Sequence, residues 1–210
     1  MDFLFFSTLI GGIILTLGYL PQLFRFNRTR GNLEGVSLLF WTLIFTAVSI
    51  TALNLITTGA ELILIIIQVV NALLALLIIV YVTSNLRRVK QFKTFLMHPV
   101  FFGVAVVIVS YVLQYTLPLE VSQGVATTFI VIAYLHQLIH IVRAKSVYGL
   151  SEWLFFMIAI GLGIIATKMF VTEVSPHIIF TELVNIALLL ACAFLIMYKK
   201  AKKGRLMRFE

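Results

Sequence analysis

The residues best placed to do chemistry are two asparagines set in otherwise apolar stretches. Asn71 has Gln68 three positions before it, and Asn185 has Glu182 three positions before it. Three-residue spacing puts each pair on one face of a helix, and one interval of 114 residues relates each member to its counterpart. The same interval carries Asn54 to Lys168. One set therefore offers Asn54, Gln68 and Asn71, and the other Lys168, Glu182 and Asn185. Amides with one acid and one amine suit the complementary ends of a polar or zwitterionic solute. Glu182 could instead carry a proton, or pair with Lys168 at similar depth. A charge at the bilayer centre costs about 2.5 to 3.5 kcal/mol on insertion scales, so such residues rarely face lipid.

Structural alternatives exist for the same residues. Membrane asparagines serve as interhelical glue worth about 0.6 kcal/mol. Lys168 can snorkel outward along its apolar stem while Glu182 accepts a structural hydrogen bond. His136 and His140 stand one helical turn apart, a spacing that can titrate near neutral pH or hold a metal, and His136 is a second candidate for proton coupling. No Cys or acidic pair completes a metal site, so no metal is expected, and His98 and His177 merely flank helix starts. No nucleophile–base set or phosphate-binding glycine loop is visible. Neither an enzyme nor a cofactor is expected.

The elements that must position these groups follow from composition. Of 210 residues, 61% are hydrophobic and 11% charged, far from the quarter or so charged in soluble domains. Crossing the hydrocarbon core takes about 20 apolar residues. Hydrophobic runs predict seven spans, near Phe3 to Phe24, Leu38 to Thr57, Glu61 to Thr83, Pro99 to Leu117, Val121 to Val142, Glu152 to Val171 and Ile178 to Tyr198. The runs are continuous rather than alternating, which excludes a β-barrel. The single cysteine, Cys192, lies in the last run and has no intrachain partner for a disulfide. Met1-Asp2-Phe3 lacks the basic region of a cleavable signal peptide, so the first run is expected to stay as a helix.

Every Lys and Arg except Lys168 falls in alternate loops or the carboxyl tail, whereas Glu61, Glu120 and Glu173 mark the opposite loops. The positive-inside rule puts the basic loops in the cytoplasm and the amino terminus outside. This sorting accounts for the net charge of +8 without nucleic acid, for which no aromatic-basic groove is present. The expected partners are a small-molecule substrate and the lipid bilayer, with a homo-oligomer left open. The tail cluster can also touch anionic head groups.

The chain repeats itself. Tyr19-Leu20-Pro21-Gln22-Leu23 returns as Tyr134-Leu135-His136-Gln137-Leu138, and Gly35-Val36-Ser37 as Gly149-Leu150-Ser151. With seven spans, helices one to three and five to seven are the copies and the fourth returns the chain, giving parallel repeats about an axis along the membrane normal. The division is residues 1–84, a linker with helix four over 85–120, and 121–210. Pro21 removes a backbone donor and loosens the helix end, so Pro21, Gln22, His136 and Gln137 are the hinge or gate candidates. Glycines on helices one and six, Gly11 and Gly161 among them, permit close helix approach.

On Pro21-Gln22, its basic loop, the two Gly-x-Ser tripeptides, Gln137 and the paired Asn71 and Asn185, the chain resembles the PQ-loop family. That family includes the SWEET sugar transporters, the cystinosin-related amino-acid exporters and, by fold, the KDEL receptors. The resemblance spans nearly the whole chain. It implies an all-α integral membrane protein of seven helices in a three-one-three layout, moving a small polar solute by alternating access around a central pocket. His136 departs from the motif's proline, and helices two and six lack the proline that sugar-carrying relatives bear. Trp41 and Trp153, near helix ends, are expected in the aromatic belt. A KDEL-receptor-like sorting receptor is the alternative, though it would present a strongly basic cavity and only Lys168 is basic inside the bundle. A retinal protein would need a lysine in the last helix, which holds Glu182 instead. Compactness favours a bacterial plasma membrane.

Overall fold

The apolar runs form helices and nothing else among the described residues, as they must where no water is at hand to satisfy a bare backbone. The structure is a computed structural model that describes residues 3–29, 33–89, 98–171 and 176–206. Its helices are α1 (Phe3–Leu17), α2 (Tyr19–Arg28), α3 (Leu38–Thr57), α4 (Leu62–Val89), α5 (His98–Thr116), α6 (Leu119–Arg143), α7 (Glu152–Val171) and α8 (Pro176–Leu206). The short α1 and α2 together make one span, so the described residues form seven helical segments. Six are long and apolar enough to cross a membrane, and α5 adds a shorter apolar stretch, Gly103–Leu113.

The break between α1 and α2 has a local cause. Pro21 has no N–H to give the Leu17 carbonyl one turn back, and α1 ends at Leu17. Gly18 bridges the gap, its N–H shared between the carbonyls of Ile14 at 3.0 Å and Leu15 at 3.2 Å. At the corresponding place in the second copy His136 keeps its N–H, and α6 runs unbroken. Helices α4 and α8 extend past the predicted ends to Val89 and Leu206, because the apolar run reports lipid thickness while the polar residues beyond still favour helix.

The described chain forms two compact units. The first combines residues 1–37 with 134–210, the second is residues 38–133. This grouping by packing cuts across the sequence copies, so the division at 84 and 120 is a statement about the repeat. In the first unit α1 and α2 pack on α7, and α7 on α8. The α1–α7 crossing is backbone to backbone: a Cβ on Gly161 would lie 2.7 Å from the Gly11 carbonyl oxygen. Phe26, Ile141, Leu154, Phe155, Leu189 and Ile196 fill its core.

In the second unit α3 packs on α4 and α5, and Ala47, Ile50 and Ala126 are buried against Leu113, Val125, Phe129 and Ile130. Trp41 corrects the belt expectation. It is 1% exposed and edge-on to Phe40 at 4.9 Å, a core residue whose place near a helix end had suggested an interface. Trp153, 62% exposed, is available to the interface.

Candidate functional site

Hydroxyls within the spans are largely absorbed by their own helices. Those of Thr16, Thr46, Thr51 and Thr83 donate to the carbonyl four residues back, the usual recourse of Ser and Thr in apolar surroundings. The carboxamides are what remain, and they fall into three kinds.

The first kind closes the basic end of the first unit. Gln22, fully buried on the face of α2 that also buries Tyr19 and Phe26, donates from Nε2 to the Gly149 carbonyl at 2.7 Å and accepts at Oε1 from the Ser151 N–H at 2.9 Å. Gln137 on α6, equally buried, donates from Nε2 to the Gly35 carbonyl at 3.0 Å. Each glutamine thus holds the Gly-x-Ser tripeptide of the other copy. Gly35 can turn its carbonyl this way because it sits at φ +84°, a region that favours glycine. The loops also meet directly, the Gly149 N–H donating to the Glu34 carbonyl at 3.0 Å.

Around this lock lie further charged and titratable groups. Ser37 Oγ and His136 Nδ1 are 3.2 Å apart, and the His136 and His140 rings stack at 6.2 Å. Arg25 Nε donates to the Tyr148 carbonyl at 2.8 Å. Lys200 pairs with Glu152. Pro21, hinge candidate, stands in α2 one turn after the helix break.

The second kind is Asn54, a tie between helices within the second unit. Its Nδ2 donates to Gln123 Oε1 at 2.9 Å, and its Oδ1 accepts from Ser122 Oγ at 3.0 Å. Both partners sit at the start of α6, and Asn54 is 4% exposed.

The third kind is the repeated pair. Asn71 on α4, in the second unit, is 1% exposed, its Nδ2 reaching only Gln68 Oε1 on the same helix at 3.5 Å. Asn185 on α8, in the first unit, is likewise 1% exposed, with Nδ2 at 3.4 Å from Glu182 Oε2. An ionised carboxylate only accepts, so with Glu182 charged the Asn185 amide turns its Nδ2 toward it. Both contacts are at the long limit for a hydrogen bond. In both residues Oδ1 is buried with no hydrogen-bond partner among the described residues. A buried acceptor left unsatisfied costs about 1–3 kcal/mol, and here the same atom is left so in both copies. Gln68 and Glu182 are half-buried one turn before, and Lys168 is half-buried in the last turn of α7.

Sequence reasoning located each of these residues by type and repetition. It missed Ser122 and Gln123, which hold Asn54. It also missed that the glutamines and the Gly-x-Ser tripeptides bind one another; their similar spacing, 13 residues from Gln22 to Gly35 and 12 from Gln137 to Gly149, was the available signal. His98 and His177 have side chains outside the described residues. Among the described residues no cluster of metal-ligating side chains occurs.

Residues 119–178 match the family model for the PQ-loop repeat. No curated protein and no solved structure matches the chain. The matched segment holds α6, α7 and the start of α8, so it is the copy with His136 in the proline position that carries the family pattern. With the repeat matched there and the apolar spans already described, the chain is an integral membrane protein that carries a PQ-loop repeat over residues 119–178.

Proposed function

We propose that this protein is a transporter that moves a small polar solute across the membrane by alternating access, with Asn71 and Asn185 as its first solute contacts. PQ-loop family members are generally transporters rather than enzymes. The observation that carries the reading is the buried, unpartnered carboxamide oxygen repeated in the two copies, each with a polar side chain one turn earlier. Asparagines acting as glue would bond across helices, as Asn54 does. Among the described residues these two bond only within their own helix.

In this reading Gln68, Glu182 and Lys168 tune which solute is taken, the acid and amine favouring one that is zwitterionic, and Glu182 or His136 couples the cycle to protons. Asn54 supports the wall rather than touching solute first. The Gln22 and Gln137 lock is the gate at the basic end, and Pro21 with the helix break beside it is the hinge. The two copies rock in a three-one-three layout, the basic loops face the cytoplasm and the amino terminus faces outward, in a bacterial plasma membrane.

Purified protein in proteoliposomes is offered radiolabelled amino acids, sugars and nucleobases in turn. A solute that accumulates with wild type should lose at least tenfold in initial rate with Asn71→Ala and with Asn185→Ala, while both variants keep the wild-type melting temperature within a few degrees. Flux unchanged in both variants overturns the assignment of the site.

A further inference from the structure

A separate concavity lies at the basic end of the first unit, away from Asn185. It encloses about 380 Å³ between the α6–α7 loop and the last turns of α8. Its lysines divide into two groups. Lys199 Nζ donates to the carbonyls of Ile141, Val142 and Ala144 at 2.7, 2.8 and 2.7 Å, capping the end of α6 where the helix dipole favours a cation. Lys200 donates to the Leu150 carbonyl at 2.8 Å and pairs with Glu152. These two charges are taken up by the fold.

Lys145, Lys202 and Lys203 are different. All three line the concavity and are exposed, and among the described residues no carboxylate pairs with them. Lys203 stands 5.4 Å from the centre of the Tyr148 ring, a further wall of the same concavity. Ser146 also lines the concavity, and its hydroxyl oxygen is buried with no hydrogen-bond partner among the described residues. Three ammonium groups around one concavity repel unless an anion sits among them. A single carboxylate presents two oxygens, whereas a phosphate group presents enough to take several ammoniums and a hydroxyl together.

The surroundings indicate what bears the phosphate. Val142 and Tyr198, preceding the two lysine-bearing segments in the chain, are 58% and 59% exposed. They end apolar spans, so an acyl chain could lie along the same edge. Basic pockets between helix ends are where membrane head groups bind. We propose that the concavity lined by Lys145, Ser146, Tyr148, Lys202 and Lys203 binds the phosphate-bearing head group of an anionic membrane lipid. This goes beyond the transport reading and does not depend on it.

Detergent-purified full-length protein is titrated with dioctanoyl phosphatidic acid and separately with inorganic phosphate, and bound ligand is counted by native mass spectrometry. A surface lysine contributes roughly fivefold to anionic-lipid affinity. The triple variant Lys145→Gln/Lys202→Gln/Lys203→Gln should therefore bind phosphatidic acid at least tenfold more weakly than wild type. Ser146→Ala should weaken it a few-fold, and the triple Lys→Arg variant should retain it. The comparison variant Lys90→Gln/Lys93→Gln removes charge from another basic loop and should bind as wild type does. Equal losses in the two Gln variants would overturn the proposal in favour of diffuse surface charge. Inorganic phosphate binding as tightly as the lipid would overturn the lipid assignment and leave a site for free phosphate. If the Gln triple does not fold, full retention of lipid by Ser146→Ala overturns the pocket just as surely.

Discussion

Asn54, Asn71 and Asn185 are the same residue type in similar apolar surroundings, yet their bonding separates them. Asn54 spends both ends of its amide on α6; Asn71 and Asn185 keep a buried oxygen unpartnered. The two situations predict opposite responses to Leu, which matches Asn in size and has no polar atom. Asn54→Leu leaves Ser122 and Gln123 without their partner and should destabilise the purified protein by about 1–3 kcal/mol. Asn185→Leu removes an unsatisfied acceptor and should leave the solute-free protein as stable as wild type or more so, since replacing an unpaired buried group by an apolar one is near neutral or favourable. Thermal unfolding in one detergent distinguishes them. A loss with Asn185→Leu as large as with Asn54→Leu would make Asn185 a packing residue. At this scale the sequence was legible as to which residues are polar within the apolar runs, but not as to their partners. What divides Asn54 from the others is Ser122 and Gln123, far along the chain.

Helices and their connecting loops carry the proposed gate. The repeat marked both glutamines and both Gly-x-Ser tripeptides, and proline chemistry predicted a loosened helix end at Pro21, whereas the break falls one turn earlier, after Leu17. The exchange of partners between the copies was not legible, because a repeat states that two segments are alike without stating that each binds the other's loop. That exchange has an uneven balance of bonds. Gln22 makes two, to the Gly149 carbonyl and from the Ser151 N–H. Gln137 makes one, to the Gly35 carbonyl, and its own Oε1 has no partner among the described residues. Losing a buried partner costs about 1–3 kcal/mol per group left unpaired, so Gln22→Leu strands two backbone groups where Gln137→Leu strands one. The expected order of melting temperatures is wild type, then Gln137→Leu, then Gln22→Leu. The reverse order would mean that the α2 contact is the weaker tie. Trp41 teaches the same limit from the other side. Its place near a helix end suggested the belt, and only packing against Phe40 reveals a core residue.

Across the whole molecule, hydrophobic length and charge sorting were legible because they answer to the bilayer rather than to neighbours. Which helices pack together was not, since a span apolar on every side offers no face by which to choose a partner. The combination of residues 1–37 with 134–210 is therefore knowledge that only coordinates supply. Orientation is the prediction that belongs here. The basic loops include Lys145 beyond α6 and Lys202 near the end of α8, while Thr58 and Glu120 mark the opposite ends of their helices. By the positive-inside rule the first two face the cytoplasm and the last two face out. Cys192 is the single cysteine and is buried, so Cys192→Ala provides a thiol-free background at the cost of a small side chain. Into it, one Cys at a time replaces Lys145, Lys202, Thr58 or Glu120. In intact cells a membrane-impermeant maleimide should label the last two and reach the first two only after the membrane is opened. Labelling of Lys145→Cys and Lys202→Cys in intact cells, with Thr58→Cys and Glu120→Cys protected, would invert the topology and put the buried glutamine contacts at the outer surface.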